Sequence, residues 1–311
     1  MKTHLRVLLP TLLGMAAAVL AAGAQAQPAS QATLPRPDHT VIVIEENKGF
    51  ADIIGSSNAP YLNSLLTQGA SLTSSYALHH PSQPNYMELF SGASQGVFND
   101  TCPKGKFTAP SLGGNLLLKG LTFKGYAEDL PSNLTTCTKG TYARKHCPWI
   151  TFADVPATAS ANFTKFPKDA TGFVHLPAVS LVVPNLVNDM HSLKTNPADL
   201  IPQEVANGDT WLKQHLDAYA QWAKTHNSLL IVTWDEDSST YRYPQDRSQK
   251  IDTQPPGNHI ATILVGAMVT PGVTSNWHYT HHDLLRTIED MYGLPLIGGS
   301  QNAGDITDIW K

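Results

Sequence analysis

The chain alternates short continuous apolar runs with longer stretches in which apolar residues recur every three or four positions. Thr40-Val41-Ile42-Val43-Ile44 is an unbroken, mostly β-branched run. That is the pattern of a strand buried on both faces of a helix-covered sheet. Ser71–Ala77, Leu121–Tyr126, Ala178–Val183, Ser228–Trp234 and Ile260–Val265 read as further strands. Ala59–Gln68 carries Tyr61, Leu62, Leu65 and Leu66 at helical spacing and stops at Gly69. Asp209–Lys224 puts Trp211, Leu212, Leu216, Tyr219 and Trp222 on one side of a helix. Leu116–Lys119 reads as a helix end, and Asp283–Tyr292 as a last helix closed by Gly293. Strands alternating with helices predict an α/β fold, a three-layer α/β/α sandwich with a mostly parallel central sheet. Residues 95–112 and 128–175 are rich in Pro, Gly, Ser, Thr and Lys. They are expected to be surface excursions around a site rather than core. Residues 238–258 are expected to form a polar, mobile loop.

Composition narrows the class. Of 311 residues, 41% are apolar and 15% charged, which permits a large core and argues against disorder. The net charge of −4, with no basic cluster, argues against nucleic acid as a partner. Lys2 and Arg6, the apolar run Val7–Leu20 and the small-residue site Ala24-Gln25-Ala26 read as a signal peptide over residues 1–26. Residues 27–37 then form a flexible lead-in and 38–311 a single domain. No later run is long and apolar enough to span a bilayer, so the expected location is secreted or periplasmic. Export makes a disulfide reasonable for Cys102, Cys137 and Cys147. Three cysteines cannot all pair, and sequence does not fix the pairing. Cys102–Cys137 is preferred, with Cys147 free and buried. The oligomeric state is left open.

The chemistry gathers just past the ends of the strands. Glu46 and Asn47 follow the first strand, and Ser82 lies in the His80-Pro81-Ser82-Gln83-Pro84-Asn85-Tyr86 stretch after the second. Pro84 suits the first turn of a helix. Ser82 then stands just before a helix N-terminus, where backbone N–H groups and the dipole favour an anion. Asp189 and His191 follow Ala178–Val183, Asp235 and Glu236 follow Ser228–Trp234, and His281 and His282 precede the last helix. In open α/β sheets ligands bind at this edge. Taken singly each has an ordinary reading: an N-cap serine, an Asx turn, an acidic surface turn, a helix-start histidine. Taken together, carboxylates, an amide, imidazoles and a hydroxyl suggest a divalent metal site.

The motifs HTVIVIEEN (39–47), SQPNYMELFSG (82–92), VPNLVNDMH (183–191), TWDED (233–237) and HHDLLRTIEDMYGLP (281–295) occur in one order. Together they resemble the phosphoesterase family, which includes bacterial acid phosphatases and phospholipases C within the alkaline-phosphatase-like superfamily. The likeness runs over nearly the whole mature chain and extends to Tyr142-Ala143-Arg144-Lys145-His146 and Ile306-Thr307-Asp308-Ile309-Trp310. It implies an alkaline-phosphatase-like fold and a secreted acid phosphatase that hydrolyses phosphate monoesters through a phosphoserine. It implies Ser82 as nucleophile, Asn85 on a phosphoryl oxygen, and His281 or His146 as proton donor to the leaving oxygen. Arg144 and Lys145, with His146, are expected to bind substrate. Glu46, Asn47, Asp189, His191, Asp235 and Glu236 are the implied metal ligands. Glu236 stands where the superfamily often has histidine, and Asp189 and His191 are closer together than usual. One ion, two ions and weak metal dependence are therefore all compatible with the pattern. Two other functions fit the same residues less well: a phosphodiesterase or phospholipase C on this fold, and a non-catalytic binder of phosphate ligands.

Overall fold

The computed structural model describes residues 1, 34–191, 197–238 and 257–311. Residues 2–26 of the signal segment, residues 27–33 of the lead-in, and residues 239–256 of the polar loop lie outside the described residues. In chain order the strands are β1 (His39–Glu45), β2 (Ala70–Tyr76), β3 (Phe123–Ala127), β4 (Thr138–Lys139), β5 (Tyr142–Ala143), β6 (Ser160–Asn162), β7 (Val179–Val183), β8 (Ser228–Trp234), β9 (His259–Gly266), β10 (Val273–Ser275) and β11 (Tyr279–Thr280). The helices are α1 (Phe50–Ile53), α2 (Pro60–Leu65), α3 (Ser82–Ser91), α4 (Leu112–Leu118), α5 (Ala170–Phe173), α6 (Pro197–Ala223) and α7 (His281–Tyr292).

The main sheet runs β10-β2-β9-β8-β1-β7-β3-β6, with β11 also pairing β2. All its neighbours are parallel except those of β9, which runs against both β2 and β8. Two reversals cancel, so β2 points the same way as β8, β1 and β7. Their last residues finish on one edge of the sheet, and β9 begins there. This is an α/β fold with a mostly parallel sheet. Side chains alternate across it because the strand period is two. Ile42 and Ile44 pack with Met87 and Phe90 of α3 and Leu285 and Ile288 of α7. Val41 and Val43 pack on the other face with Leu62 of α2 and Leu212 and Leu216 of α6. Each such buried side chain contributes about 1.5–3 kcal/mol.

Three expectations are corrected. The 128–175 stretch is a surface excursion only in part: most of 132–140 and of 168–175 is exposed, but Trp149 and Phe152 are fully buried in the core on the α3 face, and Tyr142 joins them. Its low apolar density hid a few large, deeply placed rings. Gly125 of β3 exists for one of them, because a Cβ there would lie 2.0 Å from Trp149 Cε2. Next, α6 begins at Pro197, not near Asp209, because its first turns carry too few apolar residues to show a period. Finally, α7 begins at His281, so His281 and His282 form its first turn rather than precede it. Thr280 Oγ1 accepts from His282 N while the Asp283 carboxylate accepts from Thr280 N, a capping box that sets the start. Cys102 and Cys137 form the preferred disulfide, and Cys147 is free and buried.

Glu289, farther along α7, is fully buried and accepts from Ser300 Oγ. Burial pushes its carboxyl up to about 8, from an ordinary 4.5. The folded chain therefore keeps Glu289 protonated where the unfolded chain ionises it. A raised acid loses stability as pH climbs from the unfolded value to the folded one, here between 4.5 and about 8. Glu289→Gln is expected to flatten that loss, giving a higher Tm than wild type at about pH 8. Parallel Tm–pH curves across the window would rule out Glu289 as the source.

Candidate active site

After β2 the chain crosses Ala77–Pro81 and enters α3, whose first residue is Ser82. Sequence placed Ser82 one step earlier, as the cap; the cap is Pro81. Asn85 locks this crossing from inside. Its Oδ1 accepts from Leu78 N at 3.0 Å and His79 N at 2.9 Å, and its Nδ2 donates to His79 O at 2.8 Å. The Asn85 amide thus binds its own loop and fixes where Ser82 stands.

Ser82 is 1% exposed and sits among carboxylates. Its Oγ is 2.9 Å from Glu46 Oε2 and 3.0 Å from Glu236 Oε1, and accepts from Asn47 Nδ2 at 3.1 Å. One hydroxyl proton serves two carboxylates, so it donates to one at a time. Glu46 is the hub. Tyr86 OH donates to its Oε1 at 2.9 Å and Asn47 Nδ2 to its Oε2 at 2.6 Å. His146 Nε2 lies 2.8 Å from Oε1 and His191 Nδ1 3.3 Å from Oε2. Asp189 follows β7 and hands its backbone carbonyl to Glu46 N at 2.8 Å. Asp235 follows β8, and its Oδ1 accepts from Asn47 N at 3.0 Å. Asn47 has φ of 49°, a left-handed backbone that asparagine tolerates better than most residues. So the sheet edge brings Glu46, Asn47, Ser82, Asp235 and Glu236 together, with His146 and His191 against the Glu46 carboxylate and Asp189 on its backbone N–H.

Four buried carboxyl groups share this pocket, and they do not titrate alike. Burial works to raise Glu46, but His146 and Lys145 outweigh it and hold it well below the usual carboxylate range. Asp235 is pushed well up by burial, then by Glu46 and Glu236. Asp189 is raised by burial and Glu46, and Glu236 by burial despite its contact with His80. Among the described residues, Asp235 Oδ2 and Asp189 Oδ2 have no hydrogen-bond partner. Buried oxygens left this way, beside a second carboxylate, are what a bound cation relieves. The donor set of carboxylates, an amide oxygen and imidazole suits a divalent ion. No group of three or more His, Cys, Asp or Glu among the described residues is already closed around a common point.

The remaining expected residues fall elsewhere. His281 is 2% exposed; its Nε2 meets Trp234 O at 2.9 Å, and burial lowers its pKa to about 4. It braces the end of β8 behind Asp235. Arg144 donates to Thr135 O and Pro103 O and contacts Cys102 Sγ, riveting the disulfide loops. Lys145 pairs with Asp100 at 2.7 Å. Other residues also shape the site, and of these His80, Tyr86 and Glu88 were not singled out from sequence, whereas Asn258 falls in a motif of the family resemblance. His80 Nδ1 lies 2.5 Å from Glu236 Oε2. Tyr86 stands one helical turn beyond Ser82 and stacks on His146, with ring centres 5.1 Å apart; the i,i+4 spacing was a usable signal. Asn258 directly precedes β9, accepts from Asp237 N and donates to His79 O, each at 2.8 Å. Glu88 of α3 joins His79 Nε2 at 2.9 Å and His282 Nε2 at 2.7 Å. Burial opposes its charge, yet the two histidines hold it at about 2.

Lys48 fixes Asn47 from behind. Its buried ammonium donates to Asn47 O at 3.0 Å and pairs with Glu204 Oε2 of α6 at 3.0 Å. Removing one partner of a buried ion pair costs about 3–5 kcal/mol, whereas replacing both by apolar groups is close to neutral. Lys48→Met is expected to lose about that much stability by urea denaturation, and Lys48→Met with Glu204→Leu to recover most of it. Additive losses in the double variant would show that the pair does not act as a unit.

The sequence profile of the Phosphoesterase family matches residues 56–295. The chain is 45% identical over 300 residues to the phosphatidylinositol-3-phosphatase of Mycobacterium tuberculosis, covering 95% of this chain and 91% of that protein. It is 27% identical to the phosphate-repressible acid phosphatase of Penicillium chrysogenum, covering 84% of this chain but 60% of the longer fungal protein. In fold it is similar to a protein of the alkaline phosphatase superfamily from Vibrio parahaemolyticus, with a TM-score of 0.58 at 15% identity over 90% of this chain and 75% of that one. The C-terminal periplasmic domain of EcEptC from Escherichia coli, in its zinc complex, matches at a TM-score of 0.50 and 13% identity, covering 86% of this chain and 85% of that one. The chain belongs to the phosphoesterase family, with an alkaline-phosphatase-like fold, and is a hydrolase of phosphate esters.

Proposed function

We propose that this chain is an exported acid phosphatase that hydrolyses phosphate monoesters, with Ser82 as nucleophile and a phosphoserine as intermediate. One observation carries the reading: a buried serine hydroxyl opens a ten-residue helix within 3.1 Å of Glu46, Glu236 and Asn47. The helix dipole favours an anion at Ser82. Gln83 N already donates to Asp100, whose carboxylate Lys145 balances, so the helix acts there through its dipole rather than that N–H.

Glu236 is the better acceptor for the Ser82 proton, because burial raises its pKa while its neighbours hold Glu46 low. Ser82 Oγ gives its proton to Glu236 and attacks phosphorus in line, and the ester oxygen leaves on the opposite side, taking a proton from solvent. Water then attacks the phosphoserine from the side opposite Ser82 and loses a proton to solvent, the bond from Ser82 Oγ to phosphorus breaks, and Glu236 returns its proton to Ser82 Oγ as phosphate departs. Glu46, Asn47 and Asp235 would hold a divalent ion beside Ser82, with Asp189 and His191 across Glu46. Such an ion, when bound, offsets the carboxylate charge and lowers the pKa of the serine hydroxyl. The relatives named as acid phosphatases support monoester hydrolysis, and the zinc complex of one structural neighbour supports metal use. Residues 1–26 support export.

The test is release of p-nitrophenol from p-nitrophenyl phosphate and from its bis-ester, on wild type and Ser82→Ala, with and without chelator. Monoester turnover should fall by roughly 10³-fold or more in Ser82→Ala, with no acid-stable phosphoenzyme. Chelation should lower wild-type turnover, and added divalent ion should restore it. Undiminished turnover in Ser82→Ala would remove the nucleophile assignment, and preference for the bis-ester would make the chain a diesterase.

A further inference from the structure

The N–H groups that open a helix have no partner within it. At the start of α3 they belong to Pro81, Ser82, Gln83 and Pro84, and neither proline carries one. Only Ser82 N and Gln83 N are left to meet an anion there. Gln83 N is already held by Asp100, whose Oδ1 accepts from it at 3.1 Å. The other oxygen of that carboxylate, Oδ2, accepts from Lys145 Nζ at 2.7 Å. One internal anion thus engages a helix N-terminal donor and an ammonium together, one residue from the candidate nucleophile. A phosphoryl group calls for the same two kinds of donor.

The backbone around Asp100 is fastened without its carboxylate. The Gln83 side-chain amide, in the orientation its surroundings require, donates to Thr101 O at 3.0 Å and to Asn99 O at 3.1 Å. Arg144 holds Pro103 O, and the Cys102–Cys137 disulfide holds the chain between them. The Asp100 side chain itself is 38% exposed. It is free to turn out to solvent while residues 99 and 101 keep their bonds. An exposed ion pair adds little to stability, so its release costs the fold little. Lys145 answers to the site as well. Burial opposes its charge, but Glu46 and then Asp100 outweigh burial and hold its pKa above the ordinary value. The ammonium therefore stands between the hub of the site and the internal anion.

We propose that Asp100 is an internal competitor of the substrate: a phosphoryl group displaces its carboxylate from Gln83 N and Lys145, so Asp100 sets the affinity of the site for phosphate anions. The proposal rests on the phosphatase reading above and deepens it. With Asp100 in place the helix acts through its dipole. With Asp100 displaced, the Gln83 N–H and the Lys145 ammonium pass to phosphoryl oxygens, and the return of Asp100 helps product phosphate to leave. Asp100→Asn removes the charge but keeps an oxygen for Gln83 N, and Asp100→Ala frees both donors. The measurement is the competitive Ki of inorganic phosphate against p-nitrophenyl phosphate, with ionic strength and divalent ion held fixed. Ki should fall about tenfold in Asp100→Asn and about a further threefold in Asp100→Ala, as charge-assisted and then neutral hydrogen bonds are released. KM should fall in the same order. In a Lys145→Met background, Asp100→Asn should change Ki by less than about twofold, because the shared donor is gone.

Equal gains in Asp100→Asn and Asp100→Ala would make Asp100 a distant charge and overturn the displacement. Unchanged or weaker phosphate binding in both would make it a brace for Lys145 and overturn the proposal as well. A full gain in the Lys145→Met background would remove Lys145 from the exchange and also overturn it. In each of these cases Ser82-dependent turnover leaves the phosphatase standing. If no monoester is turned over, the phosphatase reading fails first, and calorimetric titration of wild type and both Asp100 variants with inorganic phosphate decides Asp100 alone. Affinity rising from wild type through Asp100→Asn to Asp100→Ala supports the competitor, and any other order, or no binding to any of the three, overturns it.

Discussion

The site depends on one costly arrangement: Glu46, Asp189, Asp235 and Glu236 are all buried at one sheet edge, and two of them, Glu46 and Glu236, meet at a single serine hydroxyl. Carboxylates so placed raise one another's pKa and resist burial. Much of the surrounding structure answers that problem. Tyr86, Asn47, His146 and His191 surround Glu46, and Lys145 stands near enough to lower its pKa. His80 sits on Glu236, and Lys48 anchors the backbone of Asn47. The donors arrive from four stretches of chain, 47–48, 80–86, 145–146 and 191, so the cluster exists only when the sheet and its connections are in place.

The sheet brings them together through direction. Strands β1, β7 and β8 are parallel neighbours and end on the same edge, so Glu46, Asp189 and Asp235 emerge side by side. β2 lies two places away, but the reversed β9 between them returns it to the same direction. Ser82 therefore reaches the edge from β2, and Asn258 reaches it from the start of β9. Asn85 and Asn258 both bind the backbone of His79, so the crossing that carries the serine is held from two sides. The placement of Ser82 follows from backbone hydrogen bonds rather than from its own contacts.

Strand positions were legible because apolar runs such as Ser228–Trp234 have no other use, and that strand has the expected bounds. The strand-end residues were legible for the same reason: Glu46, Ser82, Asp189 and Asp235 each follow a strand that periodicity reveals. What the sequence hid was direction and depth. Nothing in Ile260–Val265 says that the strand runs antiparallel, so Asn258 could not be placed by pattern. The 128–175 stretch looked like surface because its polar residues outnumber Trp149 and Phe152, yet those two rings are fully buried. Arg144 looked like a phosphate binder because it is cationic and adjoins His146. The 3-10 turn Arg144–His146 spreads these side chains apart: His146 reaches the site, and Arg144 goes to the disulfide loops.

The pair Glu45-Glu46 shows how strongly strand geometry decides chemistry. The two residues are identical, adjacent and fully buried. Side chains alternate along β1, so Glu46 follows Ile42 and Ile44 towards α3, where Tyr86 donates to it. Glu45 follows Val41 and Val43 towards the α6 face, and among the described residues neither of its carboxyl oxygens has a hydrogen-bond partner. Burial, then Asp189 and Glu128, push its pKa well above the ordinary value, the direction that disfavours its charge. Glu46 stays ionised because cations and donors surround it. A one-residue slip of β1 would exchange the two, turn the hub away from Ser82 and reverse every apolar contact of the strand at once. The register that buries Ile42 and Ile44 against α3 is thus the same constraint that aims Glu46 at the nucleophile, so the core and the site cannot be altered independently along this strand.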